Sequence, residues 1–122
     1  MAKTIIMYHL PTCSTCKGAI KALKEHGREP ELRDIRTSPP SAKELGKLIA
    51  DSGLPIGKWF NVSGEAYREG GLKDKLPGMT DEEKIKLLAS NGMLIKRPIV
   101  SDGKKVTIGF REPDFGAAWY ES

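Results

Sequence analysis

Ile5-Ile6-Met7-Tyr8-His9-Leu10-Pro11-Thr12-Cys13-Ser14-Thr15-Cys16-Lys17 decides how this chain is read. The run from Thr4 to His9 has the length and composition of a buried strand, and Leu10-Pro11-Thr12 reads as the turn that ends it. Pro11 precedes the first helical turn, and Thr12 or Cys13 stands at its cap. From Ser14 to His26, Ala19, Ile20 and Leu23 share one helical face while Lys17, Lys21, Lys24 and Glu25 cover another. Gly27 ends the helix. The only two cysteines of the chain therefore sit at a strand-to-helix turn, within one helical turn of each other. Helix N-terminal amides stabilise a thiolate at the Cys13 position, and such a setting lowers a cysteine from about 8.5 to ~3.5–7.5. Cys16 is spaced to close a disulfide with it. This pattern points to thiol redox chemistry or redox sensing.

Outward from this stretch, Glu31 to Ile35 alternates polar and apolar residues as a second strand does, giving a β-α-β unit with the cysteines at the start of its crossover. Thr37-Ser38-Pro39-Pro40 breaks the pattern. Ser41 with Glu44 forms a capping-box signature for a helix whose stripe is Leu45, Leu48 and Ile49, stopped by Gly53. Between Leu54 and Pro77 the signals are mixed, with Trp59-Phe60 as a short apolar anchor and a short helix over Ser63 to Glu69. Thr80-Asp81-Glu82-Glu83 opens another helix through Ile85, Leu87, Leu88 and Ala89 to Asn91-Gly92. A strand around Ile99-Val100, a turn at Ser101-Asp102-Gly103 and a strand from Lys105 to Gly109 form a hairpin. A terminal helix over Phe115 to Trp119 packs back on the sheet. The order predicts an α/β, thioredoxin-like fold: β-α-β, a helical insertion at about 41–92, then β-β-α, with a mixed sheet flanked by helices.

Composition narrows the class. A chain of 122 residues with 30% charged and 39% hydrophobic residues fits one globular domain over 1–122 rather than a disordered one. No apolar run approaches the ~20 residues of a membrane span. Met1-Ala2-Lys3-Thr4 leads straight into a strand pattern without a signal-peptide core. With two close cysteines and no others, the expected setting is the cytoplasm. The net charge of +4 is scattered, and Lys96-Arg97 and Lys104-Lys105 are too short for a nucleic-acid tail. No direct nucleic-acid partner and no membrane are expected, and a monomer is the default. Zinc would need two ligands beyond the cysteines, with only His9 and His26 to supply them. No metal is therefore assigned. His26 suits a helix C-terminus through the dipole.

Beyond the cysteine turn, a set of segments carries a family resemblance. They are Tyr8 to Lys17, Phe60-Asn61-Val62-Ser63-Gly64 with Tyr67-Arg68, Leu87-Leu88-Ala89-Ser90-Asn91-Gly92-Met93-Leu94-Ile95-Lys96-Arg97-Pro98-Ile99, and Val106-Thr107-Ile108-Gly109-Phe110. On these the chain resembles the arsenate reductase-related (ArsC/Spx/MgsR) family, and is especially similar to its YusI-like branch. The resemblance implies that Cys13 matches the nucleophile of the glutaredoxin-coupled reductases and His9 the upstream histidine. It implies that Arg97 matches their second arginine, beside a cis Pro98 opposite the active-site loop. Arg111 matches the third arginine with a spacing one residue different. Asn61 falls where the first arginine would be. Cys16 occupies a place that is usually not cysteine, so this chain carries its own resolving thiol.

The expected function is a small thiol-disulfide oxidoreductase of arsenate reductase-like type. Cys13 is nucleophile, Cys16 resolves, and Arg97 supplies electrostatics with His9 and Arg111. Arg97 would otherwise form a structural salt bridge, and Arg111 would otherwise pair with Glu112 or Asp114. Asn61 and Lys58 are candidate pocket residues, Pro11 and Pro98 structural ones. No cofactor is bound; glutathione, glutaredoxin or thioredoxin is the electron donor. Arsenate is a candidate substrate that the missing arginine disfavours. The alternative is a redox-sensing regulator of the Spx type, which binds the C-terminal domain of the RNA polymerase α-subunit.

Overall fold

The computed structural model describes residues 5–111 and 114–120, and the chain divides into two compact units. The first comprises the N-terminal residues through Asp34 and those from Arg97 onward. It holds β1 (Ile6–His9), α1 (Ser14–Glu25), β2 (Glu31–Asp34), β3 (Ile99–Ser101), β4 (Val106–Ile108) and the terminal helix α6 (Asp114–Trp119). The second, Ile35–Lys96, holds α2 (Ala42–Ser52), α3 (Glu65–Glu69), α4 (Leu72–Lys75) and α5 (Asp81–Ser90), with 3-10 turns at 56–59, 76–78 and 92–94.

The sheet order is β2-β1-β3-β4. β1 runs parallel to β2, in register Ile6 to Glu31, and antiparallel to β3, where Met7 faces Val100. β3 and β4 close as an antiparallel hairpin. Strand alternation sends Ile5 and Met7 to one face of the sheet. There they join Ala19 and Leu23 of α1, Val100 of β3, and Phe115 and Trp119 of α6 in one buried cluster. Trp119 is held by polar bonds as well: its Nε1 donates to Thr107 Oγ1 at 2.8 Å, and its carbonyl accepts from Arg28 Nη1 at 2.8 Å. The hairpin turn follows its side chains: Asp102 Oδ1 accepts from the N–H of Lys104 and of Lys105, both at 2.9 Å, while Gly103 takes φ +95°.

In the helical unit, both expected capping boxes form. Ser41 Oγ accepts from Glu44 N at 3.2 Å and Glu44 Oε1 from Ser41 N at 3.1 Å. Thr80 and Glu83 make the same reciprocal pair. α2 packs against α5. Trp59 and Phe60 are buried as the anchor predicted, and Phe60 bridges Ile95 as an isolated antiparallel pair.

Several boundaries differ from the sequence reading. α1 stops at Glu25, and His26 caps it, its Nδ1 standing 2.9 Å from the Ala22 carbonyl that accepts from it. Ile35, expected to close the second strand, instead opens the helical unit. It is fully buried there, with Gly92 against its carbonyl. The helices run to Leu94 rather than ending at Gly92. The short helix begins at Glu65, not Ser63, and α4 and its following 3-10 turn stand where no helix was expected. Only Leu72 of α4 is buried, too little for a periodic pattern to announce it. Thr4 of the first expected strand lies outside the described residues.

Two glycines of the helical unit should respond oppositely to alanine. A Cβ on Gly92 would collide with the Ile35 backbone carbonyl, so Gly92→Ala should cost about 2–3 kcal/mol in urea unfolding. Gly46 lies in the α2 interior with open space around its missing Cβ, so Gly46→Ala should add about 0.5–1 kcal/mol.

Candidate active site

Topology assembles the site from both ends of the chain. β3 is antiparallel to β1 with Ile99 opposite Tyr8, so the residues just before β3 lie beyond the carboxyl end of β1, where the cysteine turn begins. Cys13 is the N-cap of α1, in extended conformation at φ −82° and ψ 119°. Its N–H donates to the Leu10 carbonyl at 2.9 Å, which folds the turn, and its own carbonyl accepts from Lys17 N at 3.0 Å, which starts the helix. Its side chain does no capping. The sulfur is half-buried, whereas Cys16, one turn on, is fully buried on the same face as Ala19 and Leu23. Both are free thiols.

These two environments separate the thiols. Burial pushes Cys13 up, but the Cys16 N–H, the Cys16 thiol, the Thr15 N–H and the Arg97 guanidinium together outweigh it and hold Cys13 below its ordinary 9.0. Burial pushes Cys16 up as well. The Leu10 backbone N–H and Arg97 offset it only in part, while the bond to Cys13 and the Cys13 charge add to it, so Cys16 is pushed up to about 12. In the resulting arrangement Cys13 is the sulfur that ionises more easily, and the Cys16 thiol donates to it.

Arg97 is half-buried, joined to buried Pro98 by a cis peptide bond as the resemblance implied. The Pro98 carbonyl accepts from Gly109 N at 2.9 Å, fixing this segment to the end of β4. Pro11 is exposed at the turn. His9 ends β1, half-buried and opposite Asp34 in the β1–β2 register, and it is not among the groups that set either thiol. Arg111 is exposed, and its carbonyl accepts from Phe115 N at 2.8 Å at the entry to α6. It makes no ion pair with Asp114 among the described residues, and Glu112 lies outside them. Asn61 belongs to the helical unit, where its N–H donates to the Leu94 carbonyl at 2.8 Å and its side chain folds over Gly64. Lys58 is exposed in the 3-10 turn of that unit. Cys13, Cys16 and Arg97 thus act on one another; His9, Arg111 and Asn61 have other local partners or positions.

One contributor escaped the sequence reading, the backbone N–H of Leu10 beside Cys16; the N–H groups of Thr15 and Cys16 are the helix N-terminal amides expected at Cys13. Backbone donors leave no residue signature; only the strand-turn-helix pattern hints at them. Among the described residues no group of three His, Cys, Asp or Glu stands close enough to hold a metal ion, and no helix is long and apolar enough to cross a membrane.

The sequence profile of the ArsC family matches residues 8–118. The chain belongs to the ArsC family. This ArsC-family chain is 49% identical over 116 residues to the uncharacterized protein YusI of Bacillus subtilis strain 168, covering 95% of this chain and 98% of YusI. It is 36% identical over 97 residues to the arsenate reductase of Escherichia coli K12, covering 79% of this chain and 67% of the reductase. Among solved structures, an ArsC family-related protein of Bacteroides fragilis matches with a TM-score of 0.91 at 43% identity, covering 96% of this chain and 98% of that one. The arsenate reductase of Vibrio cholerae matches with a TM-score of 0.85 at 27% identity, covering 98% and 99%. The thioredoxin-like α/β fold expected from the element order is the fold of these ArsC-type proteins.

Iodoacetamide labelling of the reduced protein across pH should place the Cys13 midpoint below 9.0, with the rate falling about tenfold per pH unit beneath it. Arg97→Gln should raise that midpoint. Cys16 should alter stability with the opposite sign. The unfolded chain releases this proton near 9.0 and the folded chain at about 12, so stability falls as pH rises through that window. Urea midpoints should show this extra slope in the parent and not in Cys16→Ala.

Proposed function

We propose that the protein is a thiol-disulfide oxidoreductase in which Cys13 is the nucleophile and Cys16 the resolving thiol. The observation that carries this reading is the opposite displacement of the two thiols: Cys13 held low, Cys16 pushed up to about 12. Of the two, Cys13 is the thiol that more readily becomes the attacking thiolate. Membership of the ArsC family and the relatives named arsenate reductase support the same class of chemistry.

The Cys13 thiolate attacks one sulfur of a substrate disulfide; a Cys13–substrate S–S bond forms, the substrate bond breaks, and the departing sulfur takes up a proton. Arg97 favours the attacking anion. Once Cys13 is in the mixed disulfide its negative charge is gone, and with it part of what kept Cys16 protonated. Cys16 then loses its proton and attacks the Cys13 sulfur, and the remaining substrate thiolate leaves and is protonated. Two protein thiols are oxidised and one substrate disulfide is reduced. A thiol donor (glutathione, glutaredoxin or thioredoxin) restores the dithiol by the reverse exchange, in the cytoplasm. Arsenate is the narrower candidate substrate. It is disfavoured by Asn61, which stands where the resemblance places the first arginine, and by the exposed position of Arg111.

Exposed to glutathione disulfide, Cys16→Ser should accumulate a mixed disulfide on Cys13, seen by mass spectrometry of the intact protein and its peptides. The parent should pass on to the intramolecular disulfide, and Cys13→Ser should form neither. An adduct on Cys16, or no disulfide in the parent, would overturn the assignment. A coupled arsenate assay on a parent that forms its disulfide normally tests the narrower substrate separately.

A further inference from the structure

The solvent-facing flank of α1 starts at the reactive sulfur. At 3.6 residues per turn, Cys13, Lys17, Ile20, Lys21 and Lys24 fall within roughly 100° of the helix circumference. Cys13 and the three lysines are clear of the face that buries Cys16, Ala19 and Leu23, while Ile20 stands at its edge and packs against the core cluster. Lys17, Ile20, Lys21, Lys24 and Glu25 line an open groove of about 500 Å³. Ile20 is half-buried and the three lysines are exposed. Among the described residues these lysines make no ion pair, and none of them is among the groups that set the Cys13 thiol. Glu25 is the one carboxylate along the groove. Three cations aligned with the nucleophile, and not engaged in stabilising it, form a surface for something negatively charged that approaches Cys13.

We propose that this flank is the docking surface for an acidic protein thiol donor, an inference that rests on the assignment of Cys13 as the reactive sulfur. The donor's carboxylates meet Lys17, Lys21 and Lys24 while its cysteine thiolate attacks the oxidised form. Its sulfur bonds to Cys13 as the Cys13–Cys16 bond breaks, and Cys16 leaves as a thiolate and takes up a proton. A second donor cysteine then displaces Cys13, so the donor ends as a disulfide and the protein as a dithiol. Length selects the occupant. Cys13 to Lys24 spans about 17 Å of helix, whereas a fully extended tripeptide such as glutathione reaches only ~11 Å. Glutathione bonded at Cys13 therefore does not reach Lys24; a protein surface covers the whole row. Such charge complementarity acts on the encounter rate and is screened by salt.

The test measures reduction of the Cys13–Cys16 disulfide by an acidic thioredoxin, by glutathione and by dithiothreitol, each over a range of salt. The parent is compared with Lys21→Glu/Lys24→Glu and with the milder Lys21→Gln/Lys24→Gln; Lys17 is kept because it adjoins the thiolate. Thioredoxin should slow with salt on the parent, be nearly salt-independent on the Gln variant, and be about tenfold slower at low salt on the Glu variant, recovering as salt rises. Glutathione and dithiothreitol should change by less than about twofold. Salt-independent reduction of the parent by thioredoxin would overturn the docking surface, as would equal slowing with dithiothreitol. Equal slowing with glutathione would reassign the flank to the tripeptide. A parent that forms no disulfide would instead remove the oxidoreductase reading itself.

Discussion

Burial of the Cys16 sulfur is the constraint on which the site depends. A helix of 3.6 residues per turn that puts Ala19 and Leu23 into the core must also put Cys16 there and leave Cys13 toward solvent. The rotational phase of α1 therefore decides which thiol ionises more easily and which holds its proton. Desolvation keeps the Cys16 proton in place, and the proton is then available as a hydrogen-bond donor to the sulfur at the cap. Turning the helix by one residue would exchange the two environments. In this sense the hydrophobic cluster around Met7, Val100 and Trp119 is part of the chemistry, since it fixes the phase.

The electrostatic partner comes from a different level of organisation. Arg97 is distant in sequence and reaches the cysteine turn because β3 lies beside β1 and runs against it. The Arg97–Pro98 segment is tied to the end of β4 through the Pro98 carbonyl, so its position is set by the hairpin rather than by the active-site loop. Nucleophile and cation are thus held by two pieces of backbone that the sheet joins.

How much of this was legible in the sequence depends on what carries each feature. Side-chain signals survived well. Ser41 with Glu44 and Thr80 with Glu83 gave the helix starts because the capping contacts are made by those side chains. Asp102-Gly103 gave the hairpin for the same reason. The roles of Cys13, Cys16 and Arg97 came partly from pattern and partly from family resemblance, and the geometry groups all three. What the sequence hid was carried by backbone or by close approach. The Leu10 amide beside Cys16 has no letter of its own, and Ile35 stands in the helical unit with its carbonyl against Gly92, a contact that no periodicity encodes. α4 stayed unread because four residues with one buried leucine make no stripe. His9 and Arg111 were named from their alignment with a family pattern; His9 ends β1, and Arg111 is exposed ahead of α6.

The contact between Gly92 and Ile35 has a consequence for how much the length of the helical unit can vary. The chain enters the helical unit at Ile35 and leaves it at Lys96, and the first residue of that unit touches a residue near its end. Phe60 and Ile95 add a second closure at the exit. A segment whose two ends are pinned together behaves as an inserted cassette. Its interior is free to lengthen, shorten or change partner at small entropic cost, because loop closure grows only slowly with length. The ends of that segment, rather than its length, then fix where the chain rejoins the sheet.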